Sequence, residues 1–82
     1  MIESPPLLPL VEIHTGERAV VREFRAGRVV QNRLASLGFT PGVDVDMTQN
    51  YGFGPLIVTV RGTRVALGRG EAAKILVRRR EA

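Results

Sequence analysis

The stretch that decides the fold is Arg33-Leu34-Ala35-Ser36-Leu37-Gly38-Phe39-Thr40-Pro41-Gly42. In and just before it, apolar residues recur at Val30, Leu34 and Leu37, three and four positions apart. This spacing places the three side chains on one face of a helix, so the sequence predicts a helix over residues 28–37. The helix is expected to press that face against a core built from the rest of the chain.

The second half of the same stretch predicts how the helix ends. Gly38 stands where a left-handed residue is needed to stop a helix, and Phe39 is placed to contact Leu34 across the stop. Pro41 and Gly42 then occupy the two central positions of a type II turn. We therefore expect the helix, its stop and a sharp turn into a strand to follow one another without a linker.

Downstream of the turn, the pattern is that of short strands. Val43, Val45 and Met47 alternate with Asp44 and other polar residues, which predicts a strand with one face in water. After a loop over 49–55, further strands are expected at 56–61, 65–67 and 75–77, with one helical turn over 71–74 before the last.

Upstream of the helix, residues 19–25 predict another strand. Val21 and Phe24 are three positions apart, so a β-bulge is needed to put both on one face. The apolar residues within 7–13 are expected to pack across an open edge of the core. Five strands with a single helix between the first two exclude repeated parallel units and favour a mainly all-β, antiparallel barrel.

Length and composition limit the function classes. The 82 residues fit one domain over 1–82, with a core over about 8–77 and loose termini at 1–6 and 78–82. The absence of cysteine excludes disulfides and thiolate metal sites and favours a reducing cytosol. No apolar run approaches the ~20 residues of a membrane span, and the start lacks the features of a signal peptide.

Charge gives a weaker indication. The formal net charge is +4, with 12 basic and 8 acidic residues. Such a balance suits an acidic partner surface, nucleic acid or anionic lipid. An ordinary solubilising surface explains the charge more simply. The arginines at 78–80 could contact lipid headgroups, although a disordered end explains them more simply.

Residues that could carry chemistry are few. His14 is the only histidine and has no cysteine or second histidine to complete a metal site. Asp44 and Asp46 project from one strand face and could hold a divalent ion weakly, although a solvated face explains them more simply. The glycines near 52–54 and 68–70 do not form a phosphate-binding loop. We therefore expect no catalytic, cofactor or metal residues, and no enzyme activity.

The expected activity is recognition of another protein. Tyr51 and Phe53 lie near a predicted loop tip, where aromatic side chains on a rigid scaffold commonly anchor a partner. Arg28, Gln31 and Asn32 on the exposed side of the helix could add to the same or a neighbouring surface. The alternatives are that the aromatic residues fold back over the barrel mouth and that the helix face is merely solvated.

Taken in order along the chain, these residues resemble the ferrous iron transport protein A (FeoA) family over about 8–77. The resemblance rests on Gly16 with Ala19 and Val21, Arg33-Leu34 with Leu37-Gly38-Phe39-Thr40-Pro41-Gly42, Gly54-Pro55-Leu56 with Val58, Val60 and Gly62, and Val65-Ala66-Leu67-Gly68-Arg69 with Ala72 and Ile75-Leu76-Val77. It implies an SH3-like barrel in the bacterial cytoplasm. It also implies a partner, ferrous iron transport protein B, a membrane permease with a cytosolic GTP-binding domain.

The resemblance therefore implies a small cytosolic adaptor or regulator of ferrous iron uptake that binds the permease and reaches the inner face of the membrane through it. No small-molecule substrate is expected, and weak self-association stays open. The alternative is an SH3-like module related to iron-dependent transcriptional repressors, or a small nucleic-acid-binding barrel. Nucleic acid is the less favoured partner because the aromatic residues are not interleaved with arginines.

Overall fold

A computed structural model describes residues 6–80 of the chain. Its elements, in order, are β1 (Leu8–Pro9), a 3-10 helix (Leu10–Glu12), β2 (Arg18–Phe24), α1 (Arg28–Ser36), β3 (Asp44–Gln49), β4 (Leu56–Val60), β5 (Thr63–Leu67), α2 (Arg69–Ala72) and β6 (Ile75–Arg80). Within the described residues, no helix has the length and apolar character needed to span a membrane. The mainly all-β class predicted from the sequence is confirmed.

The strands form one antiparallel sheet in the order β1-β6-β2-β3-β4-β5. The sheet is not closed by hydrogen bonds, because β1 and β5 are edges that do not pair with each other. Residues 6–80 contain six strands rather than five, since Leu8 and Pro9 pair with Val77 and Leu76. With this added strand, α1 follows the second strand instead of the first.

The helix stop has the predicted geometry. Gly38 adopts a φ of 104°, and its N–H donates to the carbonyl of Ala35 at 3.0 Å. The N–H of Phe39 donates to the carbonyl of Leu34, also at 3.0 Å. Together these two bonds satisfy carbonyls that the helix end would leave unpaired. They also bring the Leu34 and Phe39 side chains into the core, where both are fully buried.

The turn after the stop and the bulge before the helix are confirmed as well. The N–H of Val43 donates to the Thr40 carbonyl at 3.0 Å, and Gly42 has a φ of 93°. In β2, the register against β6 shifts between Val21 and Glu23. This shift allows Val21 to be buried and Phe24 to pack against the same core.

The core lies on the inner side of this curled sheet. Its fully buried larger side chains come from every strand except β1, from α1, from the helix stop and from the segment after β1: Leu10, Ile13, Val21, Leu34, Phe39, Val45, Met47, Leu56, Val58, Val60, Leu67 and Ile75. Leu10 and Ile13 cover the core beside β1, as expected for the apolar segment at 7–13. A residue such as Leu34 in this position contributes about 2–5 kcal/mol relative to alanine.

One predicted boundary is wrong. Residues 78–80, expected within a loose terminus at 78–82, continue β6 and pair with β2, where Arg78, Arg79 and Arg80 face Val20, Ala19 and Arg18. Hydrogen bonds and ion pairs between β6 and its neighbours hold residues 78–80 in the sheet. The prediction was wrong because neither kind of contact is visible in the local sequence. Pro6, from the expected N-terminal loose end, is exposed and precedes β1. Residues 1–5 and 81–82 lie outside the described part of the chain.

Candidate partner-binding surface

The connection between β3 and β4 carries the two most exposed aromatic side chains of the described residues; we call residues 50–55 the aromatic loop. Tyr51 is 66% exposed and Phe53 is 74% exposed. Their ring centroids lie 6.4 Å apart with the planes tilted by 44°. Both rings therefore point into solvent as a pair, and neither is folded back over the core.

Asn50 holds this loop from its first residue. Its side-chain Nδ2 donates to the carbonyls of Val11 at 2.9 Å and Ile13 at 2.8 Å. Its Oδ1 accepts the N–H of Gly52 at 3.0 Å and a guanidinium N–H of Arg69 at 3.1 Å. One amide thus ties the loop to the segment after β1 and to α2, through all four of its hydrogen-bonding positions.

Two further contacts complete the anchoring. Backbone N–H of Asn50 donates to the Thr15 hydroxyl at 2.8 Å, and that hydroxyl lies 3.2 Å from the Asn50 carbonyl. From the other side, Arg69 Nη1 also reaches the Gly54 carbonyl at 3.3 Å. The loop backbone is consequently fixed at both ends while its aromatic side chains stay free.

A shallow cavity of about 330 Å³ opens beside the loop. It is lined by Val11, Glu12, His14, Asn50, Gly52, Arg69 and Arg79. Arg69 and Arg79 give this hollow a basic wall, although Arg79 is already engaged by Glu17, whose Oε2 lies 2.9 Å from its Nε. The exposed aromatic pair and the basic hollow together form a surface suited to a partner that offers apolar and acidic groups.

The helix residues predicted to take part are exposed but separate. Arg28, Gln31 and Asn32 all lie on the solvent side of α1, and Gln31 Nε2 donates to the Ala26 carbonyl at 2.6 Å. Val29, beside them, is 83% exposed. Within residues 6–80, no hydrogen bond or ion pair joins these side chains to Tyr51 or Phe53. The structure therefore presents two surfaces, not one.

The acidic pair on β3 is occupied by arginines. Arg18 Nε lies 2.6 Å from Asp46 Oδ1, and Arg80 Nε lies 2.8 Å from Asp44 Oδ1. The hydrogen bond from Arg80 lowers the pKa of Asp44, and the Asp46 carboxylate raises the pKa of Arg18. In the part of the chain that the structure describes, no three His, Asp or Glu side chains converge as metal ligands.

His14 and Glu17 form a local turn rather than a reactive pair. The backbone N–H of His14 donates to Glu17 Oε1 at 2.7 Å, and this bond is the main reason that the pKa of Glu17 lies below its usual value. Arg79 adds to the same effect. The imidazole Nδ1 is 3.7 Å from the same carboxylate oxygen and is largely exposed.

Sequence reasoning missed the two residues that position the aromatic loop. Asn50 fell within the predicted loop over 49–55 without a role of its own. Arg69 appeared only in the pattern that carries the family resemblance. The bond from Gly52 to Asn50 Oδ1 is a local turn contact of the kind asparagine favours, so that part was accessible from sequence. The contacts with Val11, Ile13 and Arg69 join residues far apart in the chain and need the fold.

Comparisons with known proteins point in one direction. The FeoA domain family model matches residues 8–79. A protein of Methanocaldococcus jannaschii, named as an Fe(2+) transport protein A, is 35% identical over 71 residues, which cover 87% of this chain and 85% of that protein.

Solved structures agree with this match. A crystal structure of an iron uptake regulatory protein (FeoA) has a TM-score of 0.86 and 32% identity, and covers 92% of this chain and 100% of that one. The zinc complex of Stenotrophomonas maltophilia FeoA, described as an SH3 domain protein, has a TM-score of 0.76 and 35% identity, covering 85% and 88%. A manganese-dependent transcriptional repressor, 23% identical with a TM-score of 0.82, shares the fold alone.

Proposed function

Because the chain belongs to the FeoA family, which is associated with ferrous iron transport and has an SH3-like fold, we propose that it is a cytosolic adaptor or regulator of ferrous iron uptake. Its partner in this proposal is the cytosolic GTP-binding region of ferrous iron transport protein B. The protein would act by contact, without catalysing a reaction, and would reach the inner face of the membrane only through that partner.

The observation that carries the proposal is the anchored aromatic loop. Tyr51 and Phe53 expose large apolar surfaces on a backbone that Asn50 and Arg69 already hold in place. Aromatic anchors contribute heavily to binding, and an anchored loop loses less conformational freedom when a partner covers it. An exposed aromatic pair held in this way is better explained by recognition than by folding.

The helix surface is a second, weaker candidate. Val29 exposes an apolar side chain among Arg28, Gln31 and Asn32. These residues would enlarge the contact if the partner reaches around the domain, but the structure does not join them to the aromatic loop. We therefore place the main contact at Tyr51 and Phe53 and assign the helix a supporting role.

The test is direct association of the purified full chain with the purified cytosolic domain of the permease. We expect saturable binding under reducing conditions in at least one nucleotide state, measured by isothermal titration calorimetry with no nucleotide, GDP and a non-hydrolysable GTP analogue. A control titration uses an unrelated small GTPase. Absence of association in all three states would overturn the proposal.

The nucleic-acid alternative draws on the shared fold with a repressor and on the basic charge. It is distinguished by titrating duplex DNA and single-stranded RNA at several salt concentrations. Affinity that falls steeply and linearly on a log–log plot against salt would favour that alternative, because phosphate contacts release counterions. Our proposal predicts no saturable binding to either nucleic acid at physiological salt.

A further inference from the structure

The two edges of the sheet are built differently. The edge at β1 is only two residues long and contains Pro9, which has no N–H to offer a further strand. The edge at β5 runs over five residues, Thr63–Leu67, without a proline. Since an unpaired strand edge is a template for another strand, β5 is the side of the sheet open to extension.

Within residues 6–80, the register identifies which backbone groups of β5 have no hydrogen-bond partner. β4 and β5 are joined by the two residues Arg61 and Gly62, both with positive φ, so Val60 and Thr63 form the hydrogen-bonded pair that closes the hairpin. Hydrogen-bonded pairs alternate along an antiparallel ladder. The backbone groups of Arg64 and Ala66 therefore point away from β4, and both residues are exposed.

The side chains of β5 favour particular residues in a strand that pairs with it. Arg64 and Ala66 lie on the outer face, whereas Val65 is half-buried and packs against the core. A strand added beside β5 would alternate in the same way, with apolar residues next to Val65 and outward residues next to Arg64.

The charged residues of β4, of β5 and of the turn between them are all basic. Residues 47–70 contain three arginines, Arg61, Arg64 and Arg69, and no acidic residue. Within residues 6–80, none of the three is paired with a carboxylate; Arg61 donates to the Gly38 carbonyl and the Thr40 hydroxyl, and Arg69 to Asn50 and Gly54. Elsewhere in the sheet, by contrast, ion pairs with acidic residues already engage Arg18, Arg79 and Arg80.

From the free edge and the unpaired arginines, we propose that β5 binds an extended peptide segment in which apolar and acidic residues alternate, as an added antiparallel strand. The segment forms backbone hydrogen bonds with Arg64 and Ala66, and its acidic side chains lie beside Arg64. This inference does not depend on which protein is the partner in the proposed function.

The probe is an acetylated and amidated nonapeptide of alternating valine and glutamate, titrated into the full chain and followed by amide NMR. We expect shifts centred on 63–67 and hydrogen exchange slowed about tenfold at the amides of Arg64 and Ala66, because both become hydrogen-bonded. Two comparison peptides have lysine in place of glutamate, or N-methyl groups on alternate amides along the edge that would face β5. Both should bind at least about tenfold more weakly.

Two variants complete the test. Arg64→Glu should weaken binding of the glutamate peptide about tenfold. Arg22→Glu makes the same charge change at an exposed side chain of β2 and should leave the affinity within about twofold. Equal binding of either comparison peptide, equal loss in both variants, or shifts centred on 50–55 or 28–36 would overturn the proposal. So would a dimer in ultracentrifugation in which the amides of Arg64 and Ala66 are already protected from hydrogen exchange without peptide.

Discussion

The helix stop (residues 34–42) and the aromatic loop (residues 50–55) are built from similar parts and end differently. Each contains two glycines with positive φ and one phenylalanine, and each leads into a strand. Phe39 in the stop is fully buried, whereas Phe53 in the loop is 74% exposed. The difference arises because the stop directs its aromatic residue onto Leu34, while Asn50 holds the loop backbone and leaves its side chains outside.

This comparison separates residues that support the fold from residues that we propose bind a partner. The helix stop closes the core, so substitutions in it should reduce the stability of the whole protein. The aromatic loop displays two exposed rings, so substitutions of those rings should act mainly on binding. The following substitutions test that separation, beginning with the largest effect.

Phenylalanine removal should give the widest contrast. Phe39→Ala leaves a cavity in the core and should lower the free energy of unfolding by about 3–5 kcal/mol. Phe53→Ala removes an exposed ring and should change it by less than ~0.5 kcal/mol. Urea unfolding followed by circular dichroism measures both. Equal losses would mean that the loop also carries the fold.

Asn50 is the exception within the loop, because its side chain serves the fold. Asn50→Ala leaves the Val11 and Ile13 carbonyls without their donor and should cost about 1–3 kcal/mol. Asn32→Ala, on the exposed side of α1, is the matched control and should stay within ~0.5 kcal/mol. If the two variants unfold at the same urea concentration, Asn50 does not anchor the loop.

Glycine substitutions compare the two turns directly. Gly38→Ala forces a side chain into a φ of 104° and should cost about 1–2 kcal/mol, since the stop cannot relax without moving Phe39. Gly52→Ala meets a similar strain at φ 87° with open space around it, and the exposed loop can adjust, so the loss should stay below ~1 kcal/mol. Gly70→Ala, without positive φ, is the control. A greater loss at Gly52 than at Gly38 would reverse the comparison.

The smallest effect concerns Glu17, which lies beside the hollow near the loop. In the folded protein, the His14 N–H and Arg79 lower the pKa of Glu17. The stabilisation by the ionised carboxylate is therefore complete above the unfolded pKa of about 4.3 and is lost as pH falls through the lower folded value. Glu17→Gln should therefore reduce stability at neutral pH by less than ~1 kcal/mol. At strongly acidic pH, the variant and the wild type should have the same free energy of unfolding. A difference in that free energy that grows as pH falls would exclude this account.

Much of the fold could be predicted because its decisive signals are local. The bonds that end the helix and the Val43–Thr40 bond that closes the turn span at most five residues. The bulge in β2 followed from the spacing of Val21 and Phe24. The extension of β6 to Arg80 could not be predicted, since it depends on β2 and on Asp44, 36 residues away.

The residues of the candidate site also divide into those that the sequence shows and those that only the fold shows. Tyr51 and Phe53 were identified because aromatic residues among glycines are visible in the sequence. The residue that positions them was not, because Asn50 reaches carbonyls 37 and 39 residues away along the chain. The exposure of the two rings likewise depends on how the loop is anchored.

The central claim is that the exposed rings of the aromatic loop, Tyr51 and Phe53, recognise the partner without supporting the fold. The most direct measurement is the affinity of Tyr51→Ala/Phe53→Ala for the cytosolic GTP-binding domain of the permease, by calorimetry, alongside its urea unfolding curve. We predict at least a tenfold loss of affinity, about 1.4 kcal/mol or more, with unfolding unchanged and with Val29→Ala binding nearly as wild type. Unchanged affinity of the double variant, or a greater loss in Val29→Ala, would contradict the account.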